Sequence, residues 1–243
     1  MLIASPRLSR ADIQAWDRLV VGDMAWSRTL VHRRRVERAE RALEEFAAEG
    51  PAYVGVSWGK DSVVVADLAR RIAPHLPLVW VMVRPICNPD CELVEREYVL
   101  SAGQPYKRIT TWATWGGADW HATGTLEAGI RQAEDEFGHR HISGVRAQES
   151  SARALRMYRW GESTERTCAP IGFWQHEDVF AYLVARDLPI HPAYAQTYGG
   201  QLDRGRLRVA SLGGKRGQGW GRAEWERRYY AAEVGLLARG PAL

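Results

Sequence analysis

The stretch Ala52-Tyr53-Val54-Gly55-Val56-Ser57-Trp58-Gly59-Lys60-Asp61-Ser62-Val63-Val64-Val65-Ala66-Asp67-Leu68 decides the fold. Ala52 to Val56 is a short apolar run that favours a β-strand. From Ser62 to Ile72 the length and the rhythm of Asp67, Arg70 and Arg71 favour a helix. Between them lies a six-residue loop, Ser57 to Ser62. The first amides of a helix lack internal acceptors and its dipole favours an anion there. Gly59 allows close approach of a phosphate, Ser57 and Ser62 supply hydroxyl donors, and Lys60 supplies charge. Asp61 is placed to cap the helix and to help hold a magnesium ion.

Outward from this loop, the pattern predicts alternating elements. Strands are expected at Leu78–Val83, Tyr106–Thr110, His141–Val145 and Cys168–Gly172. Helices are expected at Asp90–Ala102, Thr125–Phe137 and Gln175–Arg186. Such alternation implies an α/β fold, a mostly parallel sheet with helices on both faces, and a ligand at the carboxyl ends of the strands. Before it, residues 1–25 read as short helices and turns. Trp26–Glu49 reads as one amphipathic helix, stopped by Gly50-Pro51. This divides the chain into a helical segment (1–50), a nucleotide-binding α/β domain (51–195) and an Arg/Gly-rich tail with a helix at Arg222–Leu237 (196–243). Gly213 to Gly219 reads as a mobile loop within that tail.

Composition sets bounds. The chain has 243 residues, a net charge of +4 and 46% hydrophobic residues, ordinary for a globular protein. No apolar run is long enough for a bilayer span, and the start has no signal-peptide pattern, so a cytoplasmic location and no membrane partner are expected. The mild positive charge permits an anionic ligand without requiring nucleic acid. Lys60, Lys107 and Lys215 are the only lysines, so a lysine in a glycine-containing loop stands out. Cys87, Cys91 and Cys168 cannot form an even disulfide framework and read as small buried thiols. The eleven tryptophans are read first as core.

The loop resembles the Ser-Gly-Gly-x-Asp-Ser pyrophosphate loop of the PP-loop superfamily, also called adenine nucleotide alpha-hydrolase-like. Trp58 stands where that family usually has glycine. A second segment, Gly144-Val145-Arg146-Ala147-Gln148-Glu149-Ser150-Ser151-Ala152-Arg153, resembles the Gly-x-Arg-x-x-Glu-Ser-x-x-Arg stretch of phosphoadenosine phosphosulfate (PAPS) reductase-like proteins. Pro170-Ile171 through Trp174, Asp178-Val179 and Tyr182, then Pro189 to Tyr194, resemble the later stretches of that branch. Trp174, Val179 and Tyr182 are expected to be structural, and His191 a turn residue rather than a base.

The resemblance implies a site in which Ser57, Trp58, Gly59, Lys60, Asp61, Ser62, Arg146, Glu149 and Ser150 bind an adenine nucleotide. Lys60, Arg146 and Arg153 would stabilise charge during the reaction, with Glu149 orienting the arginines. ATP or a related adenine nucleotide with Mg2+ is the expected ligand. The partners would be an unidentified acceptor or sulfur donor, and a protein subunit is a further candidate. Replacing Lys60 or Asp61 by alanine is expected to weaken nucleotide binding and leave the fold intact. The tail arginines Arg204, Arg206 and Arg208, with Lys215 and Arg216, are candidates to close over the phosphates.

Within the branch, PAPS reductases attack sulfur with a cysteine in a late Glu-Cys-Gly-x-His-like motif, and no cysteine follows Cys168 here. The iron–sulfur variant needs four clustered cysteines and the chain has three. The expected reaction is therefore cleavage between the α- and β-phosphates to adenylate an acceptor. Sulfonucleotide chemistry and a noncatalytic nucleotide-binding subunit stand as the alternatives.

Overall fold

The computed structural model describes residues 1–113, 123–209, 211–213 and 221–239. The expected strand–loop–helix unit is present: β1 (Tyr53–Val56) runs through the loop into α3 (Lys60–Ile72). Then follow β2 (Leu78–Arg84), α4 (Asp90–Ala102), β3 (Tyr106–Trp112), α5 (Thr123–Phe137), β4 (His141–Ile142), α6 (Ser151–Trp160), β5 (Thr167–Cys168) and α7 (His176–Ala185). Among the described residues the strands form one parallel sheet in the order β3-β2-β1-β4-β5.

Strand side chains alternate between two covers, as a period of two requires. Val54, Val56, Leu78, Trp80 and Met82 join the main core with α3 and α4, while Tyr53, Val79, Val81 and Ile109 pack with Ala133 and Phe137 of α5. The helices therefore cover both faces. Crossovers leave β1 toward one side and β4 toward the other, opening a crevice at the carboxyl ends of these two neighbours. The register Tyr53↔His141 and Val54↔Ile142 sets the loop after β1 beside the chain leaving β4.

The N-terminal segment departs from expectation. One helix, α1 (Arg10–Ser27), replaces short helices and turns, and α2 (Leu30–Ala48) begins four residues later than Trp26. Only Asp12, Ala15, Trp16 and Asp23 of α1 are buried, too narrow a stripe for periodicity to show. Its start is nonetheless specified locally: Ser9 and Asp12 form a capping box. The Thr29 hydroxyl accepts from His32 N at 3.2 Å and starts α2 afresh. α1 leans on α7, where Trp16 meets Phe180 edge to face and Trp26 Nε1 donates to Asp178 Oδ1 at 2.9 Å.

Two strands are shorter than expected. β4 ends at Ile142 rather than Val145, because Gly144 presses on the first turn of α3. β5 ends at Cys168, after which Gly172 N bonds Ala169 O at 2.8 Å and turns the chain. The late helix divides into α8 (Arg222–Tyr229) and α9 (Ala231–Arg239), since Tyr229 and Tyr230 are both buried and bond Asp12 and Asp90. Gly214 to Gly219 of the expected mobile loop lie outside the described residues, as do Lys215 and Arg216. No helix among the described residues is long and apolar enough to cross a membrane.

Candidate phosphate-binding site

The loop is closed by its own serines. Ser57 N donates to Ser62 Oγ at 3.1 Å, and Ser62 Oγ donates to Gly59 O at 3.0 Å. Ser57 is exposed and its hydroxyl donates to Ser62 Oγ at 3.4 Å, whereas Ser62 is buried inside the loop. The N-cap is Gly59, which carries no side-chain acceptor, and Asp61 does not cap the helix as expected.

Asp61 instead joins two cations. Its Oδ2 accepts from Lys60 Nζ at 2.7 Å and its Oδ1 from Arg146 Nε at 2.6 Å. Lys60 is 4% exposed and Arg146 2%. Burial pulls the Lys60 ammonium down from its ordinary value, with Asp61 opposing. Burial would raise the Asp61 carboxyl, but Lys60 and Arg146 outweigh it and hold it below the usual range. One carboxylate thus offsets one of two buried positive charges, leaving an anion-seeking surplus at the helix N-terminus.

Arg146 is held from several sides. Its NH1 donates to Gln148 Oε1 at 2.8 Å and to Trp174 O at 3.2 Å, and its backbone N donates to Glu149 Oε2 at 2.9 Å. The Glu149 carboxylate also pairs with Arg153. Sequence reasoning placed these two arginines and the glutamate together, and the structure does so with Arg153 at the half-exposed outer edge. The Ser150 hydroxyl, expected at the nucleotide, caps α6 by accepting from Arg153 N at 3.3 Å. It faces its own helix.

Trp58 corrects a second expectation. It takes the left-handed conformation, φ 59°, that a glycine adopts without strain. Its indole is fully buried against Trp80, Tyr98 and Tyr106. It therefore presents backbone, not an aromatic face, to a ligand. The core packing against three aromatic rings offsets the local backbone cost.

Three contributors were not assigned from sequence. Tyr194 OH accepts from Lys60 N at 3.0 Å, occupying one of the orphan amides of α3, and its ring lies 5.2 Å from Lys60 Nζ. Gln148 links Arg146 to His176, whose backbone N reaches its Oε1 at 2.8 Å. Gly144 is needed because a Cβ there would fall 2.8 Å from Asp61 C and 2.9 Å from Asp61 O. A glycine two residues before a motif arginine was the available signal for the last. Tyr194 closes the Pro189 to Tyr194 stretch, but nothing local marks its contact with Lys60, 134 residues away.

Of the tail arginines, Arg208 reaches this neighbourhood, donating from NH2 to Glu149 O at 2.9 Å. Arg204 is buried against Asp23, and Arg206 pairs with Asp203. Val209 lies across Gly59, where a Cβ would stand 2.8 Å from its Cγ2.

The residues expected to be structural are so. Trp174, Val179 and Tyr182 are buried, and Tyr182 OH donates to Asp67 Oδ2 at 2.8 Å. His191 is a buried turn residue whose Nδ1 accepts from Ala193 N at 3.1 Å. Cys91 and Cys168 are buried and Cys87 half-buried. Cys168 Sγ donates to Ala42 O at 3.7 Å, and burial pushes its thiol up to about 11. Among the described residues no three His, Cys, Asp or Glu side chains gather as a metal site. Both oxygens of Asp61 are already engaged by cations, so this donor set suits a phosphate group better than a protein-bound metal ion.

Residues 104–213 match the phosphoadenosine phosphosulfate reductase domain family. The match begins after the loop, so the reading of Ser57 to Ser62 stands on its own geometry. The phosphoadenosine 5'-phosphosulfate reductase of a Synechococcus species is 26% identical over 193 residues, covering 71% of this chain and 82% of the relative. Two solved structures are similar. The phosphoadenylyl-sulfate reductase of Candida auris has a TM-score of 0.48 at 13% identity, over 63% of this chain and 81% of that one. The NMN synthetase of Francisella tularensis has 0.44 at 12%, over 74% and 79%. The domain match and the loop, taken together, make the chain similar to PAPS reductase-like proteins.

Proposed function

We propose that this chain binds ATP, or a related adenine nucleotide, with its phosphates at the N-terminus of α3, and adenylates an acceptor. The observation that carries the reading is the buried Lys60–Asp61–Arg146 trio at the carboxyl end of β1, two cations sharing one carboxylate. A phosphate oxygen would take up the surplus charge and the free amides of the first turn. Lys60 and Arg146 would then stabilise the leaving pyrophosphate, and Arg153, released from Glu149, would add a third guanidinium at the rim. The acceptor's lone pair forms the new bond to the α-phosphorus, and the α–β bridging oxygen leaves with the electron pair. Mg2+ would arrive on the nucleotide and neutralise its phosphates. The protein's part is positioning and charge stabilisation.

A second reading is sulfonucleotide chemistry, favoured by the domain match and by the Synechococcus relative. It needs a reactive thiolate. Cys168 is buried with its thiol raised, and Cys91 is buried with its thiol raised by its contact with Cys87 and by burial. Those two thiols do not suit that role, so the electron donor would have to be Cys87 or a partner protein.

Calorimetric titration with ATP and with PAPS, followed by product analysis, separates the readings. AMP plus pyrophosphate in the presence of an acceptor supports adenylation. ADP plus phosphate overturns it, and sulfite release from PAPS with a dithiol moves the assignment to the second reading.

A further inference from the structure

We infer that the outer face of α6 is a docking surface for single-stranded nucleic acid. Of its ten residues, Ser151-Ala152-Arg153-Ala154-Leu155-Arg156-Met157-Tyr158-Arg159-Trp160, only Met157 is buried. Leu155, Tyr158 and Trp160 are 70%, 78% and 59% exposed, an unusual share of large apolar area for one short helix. The helix carries three arginines and no acidic residue. At 3.6 residues per turn, Arg153, Arg156 and Arg159 form a stripe with Trp160 standing within it. Tyr158 and Leu155 occupy the next strip, and Tyr158 leans on Phe173, over which the Arg38 guanidinium also lies.

The chemistry of this face selects its partner. Among the described residues, Arg156 and Arg159 form no ion pair: Arg156 NH2 donates to Thr167 Oγ1 at 2.7 Å, and the Arg159 guanidinium lies over the Trp160 ring. Both are solvent-facing. Exposed arginines interleaved with aromatic rings match a strand that offers phosphates and unstacked bases by turns. A membrane would need a wider apolar face kept apart from the basic one, and Leu155 with Tyr158 is a narrow strip. An acidic peptide would satisfy the arginines and leave the aromatic rings without stacking partners.

The position adds a consequence. α6 is capped by Ser150, and Arg153 in its first turn pairs with Glu149 beside Arg146, so a strand lying along the helix ends near the phosphate loop. That the bound strand is also the acceptor rests on the adenylation reading. Its binding to α6 does not.

The test uses the full chain and fluorescence anisotropy with a labelled single-stranded RNA and DNA of about 15 nucleotides, within the range that single-strand-binding domains cover. Saturable binding is expected. R156Q/R159Q and Y158A/W160A should each weaken it at least tenfold, and R156Q/R159Q should reduce the salt slope by roughly 1.4, at about 0.7 per phosphate contact. Affinity for ATP and the thermal midpoint should stay at parental values in both variants. Absence of saturable binding, or binding that ignores both double substitutions, overturns the inference. So does equal, arginine-dependent binding to polyglutamate or to phosphatidylserine vesicles. Strand binding by a parent protein that forms no AMP and pyrophosphate would instead count against the adenylation reading alone.

Discussion

The Asp61 carboxylate and the Arg146 guanidinium, 85 residues apart in sequence, meet at 2.6 Å in a largely buried contact, with Lys60 on the other carboxylate oxygen. Removing the carboxylate leaves two cations facing each other out of water. Asp61→Asn is expected to cost roughly 3–5 kcal/mol of stability, which revises the expectation that alanine at Asp61 spares the fold. Added pyrophosphate should raise the thermal midpoint of Asp61→Asn by more than that of the parent, because the anion replaces the lost charge. An equal shift in both would remove the reading of this trio as an anion site.

Tyr194 competes with a ligand for the Lys60 amide. Tyr194→Phe frees that amide while keeping the ring beside Lys60. Stability should fall by about 1 kcal/mol, the worth of a single hydrogen bond, and pyrophosphate should bind about fivefold tighter. Calorimetric titration of both proteins decides this. Weaker binding in Tyr194→Phe would mean that the hydroxyl assists the ligand rather than competing with it.

Gly144 is where the chain leaving β4 touches the first turn of α3. A methyl group at this position meets backbone atoms of Asp61 and Ser62 at 2.8 to 3.0 Å, and backbone yields little. Gly144→Ala should destabilise the protein by about 1–3 kcal/mol, as overpacking does. It should also weaken ATP binding by displacing Asp61. Parental affinity and stability together would show that the two segments are more separable than their contact implies.

Much of this site was legible because its signals are local. A β-favouring run, a glycine–lysine loop and an apolar helix are all readable within Ala52 to Ile72, and Arg146 and Glu149 carry their own pattern. What escaped depends on partners. α1 buries too few apolar residues to show a period, and β4 and β5 are cut short by the backbone beside them rather than by their own propensity. Ser150 looks like a ligand group in sequence, but a serine before a helix is also a cap, and here the cap prevails. Tyr194 reaches the loop only through the tertiary fold.

His191 gives the chain an acid limit. Burial, and then the charges of Arg7 and Arg222, push its imidazole down to about 3 from an ordinary 6.5. Below 6.5 the unfolded chain gains a proton that the folded chain refuses, so stability is full above that pH and falls as pH drops toward 3. The slope from this group is about 1.4 kcal/mol per pH unit. Denaturant titrations at pH 7 and pH 4.5 should show this loss. His191→Asn, which retains a side-chain acceptor for the Ala193 amide, should flatten it.

Trp58 ties binding to the core. Its backbone turns the phosphate loop while its indole is wedged among Trp80, Tyr98 and Tyr106, so the loop cannot shift without dislodging one of the largest buried side chains. The anion cradle is therefore preorganised, and little ordering entropy is spent when a ligand arrives. In hydrogen–deuterium exchange, the amides of Ser57 and Lys60, bonded to the Ser62 and Tyr194 hydroxyls, should already be protected in the ligand-free protein.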